Sequence, residues 1–490
     1  MKPAEFLAFD LGAESGRAML GSLSSSGQSG RLELTELHRF PNAPVRENTS
    51  LRWDIHRLWA EMQHALSIAP EELQSIGVDT WGVDFALIDA AGKLLENPYH
   101  YRDRRTDGMM DAVFEHVSRE RIYSVTGVQF VPINTLYQLY SACRASPGLI
   151  ERSEFLLTIP DLLNYWLTGN RCAEYTIATT TQLVDAKSRG WAFPMMEELG
   201  LPSRLFPPMV EPGVEIGRLK RAASKTLAGV PVIAPGCHDT ASAVAAIALS
   251  PQSAFLSSGT WSLLGAELDA PVITPQSRDL NFSNEGGVCR TIRLLRNIAG
   301  LWLLESCRRS WSAAGRNYSH DELLDAAARE PAFESLIDPD HPSFLNPDNM
   351  PRAIAAYCGK TGQPAPQTPA ACTRAILESL ALDYRVALES LEQITQKRFQ
   401  EIRIIGGGSR NRVLNQFTAD ATGRTVIAGP TEATALGNIA MQMLATGAVS
   451  SIEQARAIIE RSFPTERFEP SPAQRWDVAY ARFRQHIIAF

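Results

Sequence analysis

The residues of this chain whose types and spacing could do chemistry are carboxylates set beside glycine-rich turns. Asp10 opens DLGAESGR, where Gly12, Ser15, Gly16 and Arg17 crowd into one turn. Few Cβ atoms obstruct such a turn, so its backbone N–H groups can point at an anion. A tight hairpin turn is the plain alternative, and the loop alone favours it. Asp10 shifts the balance, because a carboxylate beside a phosphate is costly unless a divalent cation bridges them, which suggests magnesium held through water. Arg17 could add a charged donor.

SSGT, Ser257 to Thr260, offers hydroxyls and a glycine that suit the opposite side of a phosphate chain, although Ser-Gly turns are common. Gly406, Gly407 and Gly408 lie between a strand and a helix, the edge of an α/β sheet where ligands bind. Tight strand-to-helix packing is the alternative there. The run lacks both the dinucleotide spacing GxGxxG and the Walker lysine, so neither a Rossmann dehydrogenase nor a P-loop kinase is supported. Asp239 in GCHDTASA precedes a helix and, on position alone, is an N-cap. Phosphoryl transfer to a hydroxyl nevertheless needs a base near the accepting oxygen, a role that aspartate fills. His238 and Thr240 could hydrogen-bond a polyol. Gly82 in DTWGVDF would let a polyol approach the backbone beside Trp81, and a buried core tryptophan is an equal reading. YRDRR, Tyr101 to Arg105, reads as a solvated edge or a salt-bridge network rather than an anion-steering patch.

These residues need elements to hold them. Residues 5 to 22 read as strand, turn, strand, and the pattern recurs near 254 to 264, which suggests two related halves. Ile76 to Val78 and Val83 to Ile88 read as a further hairpin, with Asp79 and Asp84 at its mouth. Val230 to Ala234 reads as a strand and the residues after Asp239 as a helix. EIRIIGGGSRNRVLNQFTADATGRTVIAG alternates strand 402 to 405, helix 412 to 422 and strand 425 to 428, a β-α-β unit. Segments 107 to 123, 371 to 395 and 433 to 446 carry helical spacing.

A chain of 490 residues exceeds one ordinary core, so two domains are expected, with a boundary near 246 to 252. With 47 Lys and Arg against 54 Asp and Glu, the net charge of −7 makes nucleic acid an unlikely partner. The seven cysteines are scattered, without CxxC spacing, and read as reduced thiols, mostly buried. No apolar run approaches the roughly 18 residues of a membrane span, so no membrane partner and a cytoplasmic place are expected.

DLGAESGR, DTWGVDF, GCHDTASA, SSGTWSL, IIGGGSRN and EATALGNIA, in that order over nearly the whole chain, resemble the FGGY family of carbohydrate kinases. YRDRRTDG, TGVQFVPINTLYQL, EYTIATTTQLV, SNEGG and NIAGLWLLE sharpen the resemblance toward one ketose, L-rhamnulose. It implies an α/β fold of two actin-like, ribonuclease-H-like domains around a central cleft: residues 1–246 mainly sugar-binding, 247–490 mainly nucleotide-binding. It also implies ATP and Mg2+, with the sugar and ATP as small-molecule partners of a monomer or small homo-oligomer. Ala13, Glu14, Ser15, Gly16 and Arg17 would contact ATP phosphates, and Thr260, Glu305 and Gly407 the nucleotide. Gly82, His238, Asp239, Thr240 and Asn297 would contact the sugar, with Asp239 as proton acceptor and Asp10 serving the metal. Glu305 departs from the family pattern of glutamine, which puts that one contact in doubt. Other ketoses, fuculose and xylulose, are rival acceptors, and an actin-like ATPase is the rival from another class.

Overall fold

The computed structural model describes residues 2–25, 30–345, 347–472 and 474–487. Two compact units divide the chain. Unit 1 comprises Met1–Ala248, Glu267–Leu294 and Ala433–Phe463, and unit 2 comprises Leu249–Ala266, Leu295–Glu432 and Pro464–Phe490. A single cut at 246/247 is therefore too simple for the compact units. The physical reason is visible in the helix Ala433–Ala445, which lies on the sheet of unit 1: Gln442 Nε2 donates to the Leu7 carbonyl at 3.1 Å.

Unit 1 is built on β1 (Ala4–Leu11), β2 (Ser15–Leu23), β3 (Leu32–Pro41), β4 (Leu73–Thr80), β5 (Glu215–Arg218) and β6 (Pro231–Ile233), in the order β5-β6-β4-β1-β2-β3. The first three form an antiparallel meander, β4 and β6 join parallel, and β5 closes the edge antiparallel. Phe6 to Phe9 of β1 are fully buried without alternation, as expected of a strand covered on both faces. The helix Ile55–Ile68 supplies Leu58, Met62 and Ala65 to one face. On the other, Gly21 and Gly77 leave room for Ile439 and Asn438, whose atoms an added Cβ would meet at 2.7 and 2.3 Å respectively.

Unit 2 repeats the plan. β7 (Ser253–Ser258), β8 (Trp261–Leu268), β9 (Ile292–Ala299), β10 (Glu401–Ile405), β11 (Thr425–Ala428) and β12 (Glu466–Phe468) run in the order β9-β8-β7-β10-β11-β12. β7 and β8 are antiparallel, β10 and β11 join parallel, and β12 is an antiparallel edge. The 27-residue helix Pro369–Thr395 starts on the Thr368 cap and buries Leu377, Leu380, Tyr384, Leu388 and Leu391.

Three sequence expectations change. Residues 76 to 88 are not a hairpin, because β4 enters the main sheet while Phe85–Ile88 pairs antiparallel with Phe155–Thr158. Segment 107 to 123 breaks into Met109–Phe114 and Arg119–Thr126, the second capped by Ser118. Of the two readings of YRDRR the solvated edge holds only for the exposed Arg104: Asp103 is buried, and Arg105 bonds Gln138 at 2.6 Å and lies over the Tyr99 ring at 3.8 Å. The seven cysteines are free thiols; Cys289 is exposed and Cys143 half-buried. Among the described residues no helix is long and apolar enough to cross a membrane.

Candidate active site

In unit 1 three loops meet at the carboxyl ends of β1, β4 and β6, the end of an α/β sheet where ligands bind. Trp81 N donates to the Leu11 carbonyl at 3.2 Å, and Thr80 N to the Cys237 carbonyl at 2.9 Å. These bonds bring the DLGAESGR, DTWGVDF and GCHDTASA loops together.

The first loop is a short turn closed by Gly12 N on the Ser15 carbonyl at 2.9 Å, and Asn42 Nδ2 braces the Gly12 carbonyl. Ser15, Gly16 and Arg17 already belong to β2. Gly16 has a packing reason to be glycine, since an added Cβ would lie 2.2 Å from the Phe40 ring, while one on Gly12 would meet only the Ser15 carbonyl, at 3.4 Å. Asp10 faces Arg17 across the hairpin, with Arg17 Nη2 2.5 Å from Asp10 Oδ2. Asp79 is the neighbour of Asp10 on β4. It is fully buried and accepts from Asn438 Nδ2 at 2.6 Å. Burial, then the Asp10 charge, push the Asp79 carboxyl well up despite the Asn438 bond, and Asp239 adds to the rise. Three acids, Asp10, Asp79 and Asp239, thus share one electrostatic neighbourhood.

Asp239 is the first residue of the helix Asp239–Ala245, and His238 is the N-cap, without a side-chain cap bond. The expectation that Asp239 caps the helix is thereby corrected. Its Oδ1 instead accepts from Thr240 N at 2.5 Å and Thr240 Oγ1 at 3.1 Å. The Asp239 side chain keeps 30% exposure while His238 beside it keeps 10%. His238 presents Nε2 at 3.4 Å from Asp239 Oδ1, and Nδ1 near Arg293 Nη2 at 3.1 Å and Glu285 Oε2 at 3.3 Å. Burial would raise the Glu285 carboxyl, but the His238 bond and the Arg293 guanidinium hold it below its usual range. Arg293 is fully buried, and its Nη1 has no hydrogen-bond partner. Gly82 sits against Thr180, whose atoms an added Cβ would meet at 3.2 Å. Trp81 is a core tryptophan, packed on Trp53 and donating to Asp84.

In unit 2 the SSGT turn is closed by Gly259 N on the Trp261 carbonyl. Leu301 N and Trp302 N, at the start of the helix Trp302–Ala313, bond the Gly259 and Thr260 carbonyls at 2.9 and 3.2 Å. The three glycines after β10 divide their work. A Cβ on Gly408 would lie 2.0 Å from Ser258 Oγ and one on Gly406 2.9 Å from the Ser258 carbonyl, whereas Gly407 meets nothing within 4 Å. Tight packing accounts for Gly406 and Gly408 but not for Gly407. Asn297 lies near the end of β9, half-buried. Glu305 is engaged by Arg308 Nη1 at 2.8 Å and His320 Nε2 at 3.0 Å; burial would raise its carboxyl, but these partners hold it low.

Sequence reasoning gave Asp79 a place at a turn but no role in the site, and passed over Glu285 and Arg293. Asp79 and Glu285 stand in DTWGVDF and SNEGG, stretches noticed for other residues; Arg293, inside the apolar strand β9, carried no signal.

Residues 6–246 match the model of the FGGY family of carbohydrate kinases, N-terminal domain, and residues 254–446 that of its C-terminal domain. The chain is 45% identical to the rhamnulokinase of Bacteroides thetaiotaomicron over 98% of this chain and 99% of that one. It is 43% identical to the rhamnulokinase of Oceanobacillus iheyensis over 93% and 96%. The ligand-bound xylulose kinase of Lactobacillus acidophilus shares the fold at a TM-score of 0.79 and 15% identity, over 98% of this chain and 97% of that one.

Proposed function

This chain belongs to the FGGY family of carbohydrate kinases, and from that premise we propose that it transfers the γ-phosphoryl group of ATP to the 1-hydroxyl of L-rhamnulose, giving L-rhamnulose 1-phosphate. The observation that carries the reading is Asp239, a half-exposed carboxylate set among buried polar groups in a chain so close to rhamnulokinases.

Asp239 accepts the proton of the attacking hydroxyl, while Thr240 holds its Oδ1 and so leaves Oδ2 for the sugar. His238, Thr240, Gly82 and Asn297 bind the sugar. The buried Arg293 and Glu285 fix the His238 ring, as partners of a functional imidazole do. Ala13, Glu14, Ser15, Gly16 and Arg17 bind the phosphates, and Thr260, Glu305 and Gly407 the rest of the nucleotide. Glu305 must turn from Arg308 and His320 to do so. Among the described residues no group of three or more His, Cys, Asp or Glu could hold a metal ion. The carboxylates present fit magnesium that arrives with the nucleotide, with Asp10 as its protein partner, chiefly through water. When bound, it neutralises charge on the phosphates. Residues 1–246 do most of the sugar binding and 247–490 most of the nucleotide binding, in the cytoplasm.

A panel of ketoses in an ADP-release assay tests the assignment. L-Rhamnulose should turn over fastest; equal or faster turnover of xylulose or fuculose would overturn the sugar and leave the kinase.

A further inference from the structure

EYTIATTTQLV forms the five-residue helix Tyr175–Thr179 and the turn after it, and no residue of it has a role so far. Thr176, Thr179 and Thr180 are all buried. A hydroxyl has one proton and two acceptor lone pairs, and in all three the proton is spent locally. Thr176 Oγ1 donates to Glu174 Oε2 at 2.6 Å, Thr179 Oγ1 to the Thr176 carbonyl at 2.8 Å, and Thr180 Oγ1 to the Ile177 carbonyl at 2.7 Å. The free lone pairs are thereby aimed outward, and each accepts a backbone N–H from a different loop. Thr176 takes His238 N at 3.2 Å, Thr179 takes Gly286 N at 2.8 Å, and Thr180 takes Val83 N at 3.1 Å. Glu174, fully buried, adds Cys237 N at 3.2 Å.

Each loop carries a proposed sugar-side group or the partner of one: His238 and Asp239, Gly82 beside Val83, and, beside Gly286, Glu285, which holds the His238 ring. Val83 is the most demanding. Its φ is +67°, and Asp84 N bonds the Gly82 carbonyl at 2.9 Å. That is the pattern of a γ-turn, strained for a β-branched residue. Such strain persists only where the surroundings over-determine it. Here Thr180 grips the Val83 N–H, while Thr135 Oγ1 grips its carbonyl at 2.5 Å.

We infer that Thr176, Thr179 and Thr180 are positioning residues that set the acceptor-sugar loops in register, Thr180 by holding Val83 in its strained turn. The inference rests on the sugar-kinase reading above. The test replaces each hydroxyl by an isosteric methyl in the full chain and measures KM for sugar and for ATP, and kcat. Thr180→Val should raise the sugar KM about tenfold with little change in ATP KM, the size expected for one lost hydrogen bond on a strained group. Thr180→Ser should behave as the parent. Adding Val83→Gly to Thr180→Val should restore most of the sugar KM, since glycine holds positive φ without strain. A packing role would not be rescued that way. Thr176→Val, which loosens the loop ahead of Asp239, should lower kcat about tenfold instead, without raising the sugar KM to match. An unchanged sugar KM in Thr180→Val, or no recovery with Val83→Gly, overturns the inference. If Thr180→Val does not fold, by circular dichroism, the kcat-against-KM split of Thr176→Val decides it. The variants are read on whichever ketose the parent chain turns over fastest, so a wrong sugar assignment shows in the parent and a wrong inference in the ratios.

Discussion

In unit 1, Asp10 is the last but one residue of β1, opposite Arg17 on β2 and Asp79 on β4. In unit 2, the same place at the end of β7 is held by Ser257, with Leu263 on β8 and Ile405 on β10. Strand order and hairpin repeat, and both turns hold serine and glycine, yet the charges stand in one copy alone. The fold therefore does not require the charges. Burying acids side by side costs stability unless something compensates, so unit 1 carries a cost that unit 2 does not. Unit 2 spends its special residues on close backbone approach, with Gly406 and Gly408 against Ser258 and Gly407 left open.

The steepest test of this contrast is Asp239→Asn, which keeps size and removes the base. It should lower kcat by about a thousandfold while calorimetry still detects ATP and sugar binding. Unchanged turnover would remove Asp239 from the chemistry and the acids of unit 1 from the argument. Next, Asp10→Asn should lower kcat about a hundredfold and raise the magnesium requirement, whereas Ser257→Ala should change kcat less than about threefold. Equal losses in the two would erase the asymmetry.

Within unit 2 the glycines should separate. Gly408→Ala should cost about 1 to 3 kcal/mol by thermal unfolding, because even if Ser258 Oγ rotates away the new Cβ still meets Ser258 Cβ at 2.6 Å and its carbonyl at 2.9 Å. Gly407→Ala should leave the unfolding midpoint alone and raise the ATP KM by about threefold. The smallest effect concerns pH. Burial lifts the Asp84 carboxyl to about 6, against bonds from Trp53, Gln138 and Trp81. A carboxyl raised on folding contributes stability that is complete below its ordinary value of about 4 and is lost as pH rises through 6. Asp84→Asn should therefore flatten the decline in unfolding midpoint between pH 4 and 6, and an equally steep decline would show that other groups cause it.

Local pattern decides what depends on neighbours in sequence. The strands at 402 to 405 and 425 to 428, the helix from 412 to 422 and the two glycine hairpins were legible because apolar runs bounded by glycine have few other uses. The false hairpin at 76 to 88 failed for the opposite reason. Turn residues announce a bend, but which strand Phe85–Ile88 joins is a choice among distant segments, and it joins Phe155–Thr158.

The candidate site divides along the same line. Asp10, Asp239, His238 and the glycines 406 to 408 stood out as candidates, since glycine turns and a carboxylate before a helix are short-range signals. The sequence also carried enough motif order to name a family. Only the tertiary structure decided that Asp79 lies beside Asp10, that Arg293 and Glu285 hold His238, and that three threonines of one turn grip three loops. Those are meetings of residues tens to hundreds of positions apart. They are fixed by sheet register and by the need of each buried donor for an acceptor, and no window along the chain contains both partners.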